Sequence, residues 1–200
     1  MNKKFQCIFL FLLPLGFFFV PSFSQSMQKG TSVFSVGLGA PGGYISPGAV
    51  GYGESVFYSP ALDLSYEKGV IADIPHSLIG LGAYVSMDFH SDNYSDNVYY
   101  YNNHWTDFII GAKGWYHLDF LNKNKYDVFG TLMLGVRISA YSYSSNDNVY
   151  YDEHKSNASS VGPAASISVG ARYWFKPKMG VYGELGAGHD FAVIGLCFKP

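Results

Sequence analysis

From Val161 to Phe198 the chain alternates between two kinds of residue at a period of two, and nothing else in its 200 residues constrains the fold as much. The odd positions of Val161–Phe175 are Val161, Pro163, Ala165, Ile167, Val169, Ala171, Tyr173 and Phe175. Between them stand Gly162, Ala164, Ser166, Ser168, Gly170, Arg172 and Trp174. Successive side chains of a strand point to opposite faces, so this is a strand with one bulky apolar face and one small or polar face. Lys176-Pro177-Lys178 predicts a tight turn, since proline lacks the donor a sheet ladder needs. Val181–Gly188 resumes the alternation with Tyr182, Glu184, Gly186 and Gly188 opposite Val181 and Leu185. After His189-Asp190, a further strand sets Ala192, Ile194, Leu196 and Phe198 against Val193, Gly195 and Cys197.

The polar face decides the class. Glycines, serines, an arginine and a glutamate are too small and too polar for a soluble core, and a water-soluble barrel would carry its bulky side chains inside. Here the bulky face requires an apolar solvent and the small face a narrow lumen, the two demands of a transmembrane β-barrel.

The same pattern runs through the preceding chain. It predicts strands over Ser32–Ala40, Tyr58–Glu67, Leu78–His90, His104–Leu118 and Tyr126–Tyr143, with the last three segments above completing eight. Pro41–Phe57, Lys68–Ser77, Ser91–Asn103, Asp119–Lys125 and Ser144–Ala158 are expected to be loops and turns. On the third strand Ile79, Leu81, Ala83, Val85, Met87 and Phe89 would face lipid. On the fourth, Ile109 and Trp115 interrupt the polar parity, as inward side chains that fill a small lumen would. The expected fold is therefore all-β, an eight-stranded antiparallel up-and-down transmembrane barrel. Strand counts are even in such single-chain bacterial barrels, and their short turns face the periplasm, so both termini are expected there.

The amino terminus reads separately. Lys3 and Lys4, the apolar Ile8–Val20 and the small residues of Ser22-Phe23-Ser24 make Met1–Ser24 a secretory signal peptide, with residues 25–200 as the barrel domain. Its apolar run is too short for a spanning helix. Removal takes two of the 13 basic residues and none of the 15 acidic ones, moving the net charge from −2 to −4. Cys197 would be the sole cysteine left, so no internal disulfide is expected. No basic patch points to nucleic acid.

Gly170-Ala171-Arg172-Tyr173-Trp174-Phe175 and Gly195-Leu196-Cys197-Phe198-Lys199 resemble the closing strands of small outer-membrane barrels of the OmpA/OmpX type, in particular the porin-family-like barrels of Bacteroidetes. The resemblance covers the whole of residues 25–200. It departs at the end, where Lys199-Pro200 follow the terminal aromatic. It implies location in the bacterial outer membrane, with outer-membrane lipid and the barrel-assembly machinery as partners.

The inward parity gathers Asp63, Glu67, Asp88, Asp107, Lys113, Arg137, Arg172 and Glu184. An eight-stranded interior is only wide enough for side chains to fill, so these residues are expected to form a lumen ionic network. Arg172 and Glu184, flanking one turn, are expected to be near cross-strand neighbours. Asp88, His90 and Ser91 would lie near the outer rim, where a lipid-modifying enzyme would keep its site. Residues 88 and 90 share a face, however, and Ser91 points away. No catalytic residue is assigned. The acids and histidines of the loops match no metal-ligand spacing, and no metal or cofactor is expected.

Asp96-Asn97-Val98-Tyr99-Tyr100 recurs as Asp147-Asn148-Val149-Tyr150-Tyr151, one copy in each long polar loop. Two readings stay open. Tyr99, Tyr100, Tyr150 and Tyr151 form a contact surface for an extracellular protein or glycan, tyrosine being rich in area at low entropic cost, or they merely stack at hairpin tips. The function expected is non-enzymatic, structural or cell-surface contact by a monomer. A lipid-modifying enzyme of the outer leaflet and a small-solute channel are the alternatives.

Overall fold

A computed structural model describes residues 27–41, 54–74, 77–95, 98–118, 125–146 and 158–200. The signal segment and residues 147–157 lie outside these, so neither Met1–Ser24 nor the second tyrosine motif is among the described residues. The strands are β1 (Ser32–Pro41), β2 (Glu54–Tyr58), β3 (Ala61–Ile74), β4 (Ser77–Ser95), β5 (Tyr100–Leu118), β6 (Tyr126–Ser145), β7 (Ala158–Lys176), β8 (Met179–Ala187) and β9 (Asp190–Phe198). All pairings are antiparallel.

The ring closes. β1 pairs with β3, the ladder continues through β4 to β9 in sequence order, and β9 returns to β1 with Phe34 opposite Phe198 and Gly37 opposite Gly195. β2 adds no ninth wall. It pairs with β4 directly beyond the end of β3, so β2 and β3 are one stave broken at Ser59-Pro60. Proline has no N–H to give there. Ser59 bridges the break, its N–H donating to Phe89 O (2.9 Å) and its Oγ accepting from Phe89 N–H (2.8 Å). The result is an eight-stave, up-and-down antiparallel barrel.

Alternation sorts the faces as a lipid-spanning wall requires. Val161, Ile167, Val169, Leu185 and Ile194 point outward and are exposed, whereas Val33, Trp174 and Cys197 point inward and are buried. On β5 the outward apolar band from Phe108 to Tyr116 is nine residues, close to the 9–11 that a tilted spanning strand needs. Aromatic pairs, Phe34 with Tyr66 (4.9 Å) and Tyr126 with Tyr173 (5.1 Å), stand at the end that carries the chain terminus and the short turns, as interfacial girdles do. Inside, Met27, Val33, Leu78, Trp174, Tyr182 and Cys197 pack a floor near that end, and Tyr84, Ile109 and Met133 form a second cluster above. Trp115 is buried in the lumen as well.

Several expected boundaries change. The stretch 68–77 is not all turn, because β3 runs to Ile74 and β4 starts at Ser77. The stretch 91–103 is not all loop either: β4 and β5 stay paired from Ser91↔His104 to Ser95↔Tyr100. Glu54–Phe57, expected in a loop, forms β2 together with Tyr58, expected to open the next strand, and Asp190, expected in a turn, opens β9. The physical reason is shared. A backbone ladder needs only its N–H and C=O groups, so it continues past the point where one face must be apolar, and there alternation no longer marks it.

The wall is uneven in height. β4, β5 and β7 have 19 residues and β6 has 20, while β8 and β9 have nine each and β1 has ten. At about 3.3 Å per residue the tall staves exceed the short ones by about 30 Å of strand. The excess lies at the end opposite the termini, where β2, β4, β5, β6 and the start of β7 form a projecting sheet. An inner-face row crosses it: Tyr58, His90, Trp105 and Tyr141 are successive cross-strand partners. Their rings meet at 5.9, 4.5 and 5.1 Å, with His90 and Trp105 parallel within 2°. Such stacking stiffens a sheet that has water on both faces.

Candidate functional site

The polar lumen is organised in three storeys. The lowest is a closed ring of four residues, Glu67 of β3, His117 of β5, Asp127 of β6 and Arg172 of β7, all buried. Asp127 and Arg172 are direct cross-strand partners. His117 Nδ1 lies 2.7 Å from Asp127 Oδ1 and Nε2 2.5 Å from Glu67 Oε1. Arg172 closes the ring with Nη2 at 2.6 Å from Glu67 Oε2 and Nη1 at 3.3 Å from Asp127 Oδ2. An imidazole that donates to a carboxylate from each nitrogen carries both protons. Two anions therefore face two cations, and the Arg172 guanidinium also lies 4.5 Å over the Phe129 ring. Glu67 reaches His117 by passing over β4 at Gly80, where a Cβ would collide with its carboxylate.

The middle storey joins opposite walls. Lys113 Nζ of β5 lies 2.7 and 3.0 Å from the two carboxylate oxygens of Glu184 on β8. Ser168 Oγ donates to Glu184 Oε2 at 2.8 Å and meets Thr131 Oγ1 at 2.6 Å. The ammonium also faces the rings of Tyr84 (5.2 Å) and Trp115 (5.4 Å).

The upper storey holds Asp63, Tyr84, Ser86, Asp88, Asp107, Arg137, Ser139, His189 and Asp190. Tyr84 Oη lies 2.7 Å from Asp63 Oδ1 and 3.1 Å from Asp190 Oδ2. His189 Nε2 faces Ser86 Oγ at 3.0 Å, and its Nδ1 is 3.4 Å from Arg137 Nη2. Asp107 accepts from Ser139 Oγ and stands directly across the ladder from Asp88.

Of the eight residues expected in the lumen, Asp63, Glu67, Asp88, Asp107, Lys113, Arg172 and Glu184 are buried and Arg137 is half-buried. Arg172 and Glu184 are near cross-strand neighbours, two positions apart on the β7–β8 ladder, with Arg172 opposite Tyr182 and Glu184 opposite Gly170, but they do not pair with each other. Each reaches across the lumen to a cation or acid on a distant stave instead, which a narrow closed interior permits. His117, Asp127, His189 and Asp190 join the network although they were not among the expected site residues. Parity places His117 and Asp127 inward; His189 and Asp190 lie at the β8–β9 turn, where alternation is silent.

Asp88, His90 and Ser91 form no catalytic arrangement: His90 is stacked between Tyr58 and Trp105, and Ser91 is contacted by Asn93 Nδ2 at 3.5 Å. Ser86 and His189 do make a serine–histidine pair. Yet the nearby acids, Asp88 (3.5 Å) and Asp190 (3.7 Å), approach the same Nε2 that meets the serine. Nδ1, where an orienting acid belongs, faces a guanidinium. For solutes, the lumen pocket beside Asp63, Tyr84, Lys113 and Glu184 has a volume of about 20 Å³, space for roughly one water. A far larger recess, about 1250 Å³, lies chiefly over the outer face of β7–β9 and β1, along Leu38, Val169, Val181, Leu185 and Ile194.

A closed ring of eight staves, apolar outside and filled with paired polar side chains inside, defines an eight-stranded antiparallel up-and-down transmembrane β-barrel. Among solved structures the chain is similar to Ail, the attachment invasion locus protein of Yersinia pestis, at 12% identity and a TM-score of 0.41, covering 86% of this chain and 96% of that one. Ail in complex with the heparin analogue sucrose octasulfate matches at 11% identity and a TM-score of 0.42, over 86% and 96% of the two chains. The N-terminal β-barrel domain of Pseudomonas aeruginosa OprF matches at 14% and 0.43, over 86% of this chain and 100% of that one. No family model matches the chain, and no curated protein sequence does.

Proposed function

We propose that the protein is a non-enzymatic barrel of the bacterial outer membrane that presents a tyrosine-rich edge for contact at the cell surface. The observation that carries this reading is the height of β4–β7. Staves of 19 and 20 residues exceed the 9–11 that cross a bilayer, and a wall that projects into water without serving a pore or a catalytic site needs another use. Tyr94, Val98, Tyr99 and Tyr100 are exposed at its tip.

Asn146 supports pairing of the two loops into one surface. The Tyr100 N–H donates to Asn146 Oδ1 at 2.8 Å, and Asn146 Nδ2 donates to Val98 O at 3.0 Å. Asn146 directly precedes Asp147, the first residue of the second motif, in sequence. The contact residues of this reading are Tyr99, Tyr100, Tyr150 and Tyr151, whose residue type suits an extracellular protein or glycan. The apolar belt takes outer-membrane lipid, the barrel-assembly machinery inserts the chain as a monomer, and the short turns hold both termini in the periplasm.

The test is replacement of Tyr99, Tyr100, Tyr150 and Tyr151 by serine in cells that adhere through this protein. Adhesion per folded molecule is expected to fall while the barrel keeps its heat-dependent shift in gel mobility. A melted barrel with unchanged adhesion per folded molecule makes the tyrosines structural and removes the binding role.

A further inference from the structure

Asp63 and Asp190 stand on the two strands that flank β1, and their carboxylates meet over it. β1 runs between β3 and β9, with Gly37 opposite Asp63 and Pro41 opposite Asp190. Gly39, between those positions, has no side chain to hold the acids apart. A Cβ there would stand 2.6 Å from Asp190 Oδ1 and 2.8 Å from Asp63 Oδ2. Those same two oxygens are buried, on residues only 2% and 8% exposed, and the two carboxyl groups lie within hydrogen-bonding reach of each other. Their other oxygens share the single hydroxyl of Tyr84, whose one proton satisfies one of them. Two buried carboxylate oxygens that face one gap are costly unless a proton or a cation lies between them.

The surroundings favour a cation. Oxygens of both carboxylates and a ring nitrogen of His189 lie within 4.8 Å of one another. His189 Nε2 is 3.7 Å from Asp190 Oδ2, and Nδ1 turns the other way, toward Arg137. The small lumen pocket of about 20 Å³, lined by Asp63, Tyr84 and Asp190 together with Lys113 and Glu184, adjoins the two acids and is room for about one water.

We infer that Asp63, Asp190 and His189 bind one divalent cation, of which Zn²⁺ suits two carboxylates and an imidazole best, with water as fourth ligand. Zinc bonds of about 2.0–2.2 Å put neighbouring tetrahedral ligands about 3.3–3.6 Å apart, so the His189–Asp190 separation closes by only a few tenths of an ångström. At Nε2 the ion takes the place of the Ser86 Oγ contact. It ties β3 to β9 across β1, the seam at which the first and last strands close the barrel.

The test uses full-length untagged protein refolded in detergent, stripped with a chelator and titrated with Zn²⁺ by calorimetry. One saturable site per chain and a raised melting temperature are expected. Asp63→Asn with Asp190→Asn is expected to weaken binding at least tenfold while the barrel folds. Gly39→Ala, whose methyl enters the gap, is expected to do the same. Should that variant fail to fold, His189→Ala provides the second arm, with the same expected loss. Absence of a saturable site in the unaltered protein, as for two acids that share a proton, overturns the inference. So does a site that survives these substitutions, or one that Ca²⁺ or Mg²⁺ fills as tightly as Zn²⁺, since an imidazole ligand disfavours those ions.

Discussion

Lys113 Nζ stands 2.7 Å from Glu184 Oε2, joining β5 to β8, two staves that share no backbone ladder. β6 and β7 lie between them along the wall, so the pair spans the interior and holds the two sides of the ring together as well as filling it. A salt bridge in such a place gains its Coulomb energy only against a large desolvation cost, and it is the loss of one partner that is severe.

Replacement of Glu184 by alanine leaves the Lys113 ammonium buried without its acid. The expected loss of stability is about 3 kcal/mol. Replacing both members by apolar residues of similar size, Lys113→Met with Glu184→Leu, is expected to cost much less. Urea unfolding from lipid vesicles measures the two, and equal losses would show that the pair, and not the orphaned charge, carries the energy.

Gly80 and Gly162 are both lumen-side glycines, yet an added methyl would meet different surroundings. At Gly80 it collides with the Glu67 carboxylate, whereas at Gly162 nothing lies within 4 Å. Gly80→Ala is expected to destabilise by about 1–3 kcal/mol through overpacking and displacement of Glu67 from His117. Gly162→Ala should be neutral or slightly stabilising, because it only restricts the unfolded chain. Parallel unfolding curves decide whether Glu67 needs the space over β4.

Leu134 lies in the middle of the outer face of β6 and is 59% exposed. In a water-soluble protein an arginine there would change stability by roughly 0.5 kcal/mol or less. In a bilayer the same Leu134→Arg substitution is expected to cost about 2–4 kcal/mol. Folding into phosphatidylcholine vesicles compared with folding in detergent micelles tests the lipid-facing register directly.

The amino-terminal reading has its own check. Mass spectrometry of protein extracted from outer membranes is expected to show a chain beginning near Gln25, since Ser22 and Ser24 offer the small residues that a signal peptidase requires. Intact Met1–Ser24 in that material would remove the signal assignment.

By itself the sequence determined which side of the wall most residues occupy. Period-two alternation places Glu67, Asp107, Lys113, Arg172 and Glu184 on one face, Leu134, Ile167 and Leu185 on the other, and sets the number of staves, because lipid on one side and a narrow lumen on the other leave each position little choice. Tertiary structure alone decided the partners. Arg172 bonds Glu67, 105 residues away, and Lys113 bonds Glu184, 71 residues away, because strand stagger and lumen width, absent from any local pattern, set which inward side chains arrive at one level. It also decided how far β4–β6 rise and that His189 and Asp190 turn inward at a tight bend. Once both faces of a strand are wet, or the chain reverses, hydrophobicity stops reporting direction, and only backbone pairing and the room left by Gly39 and Gly80 settle where the side chains go.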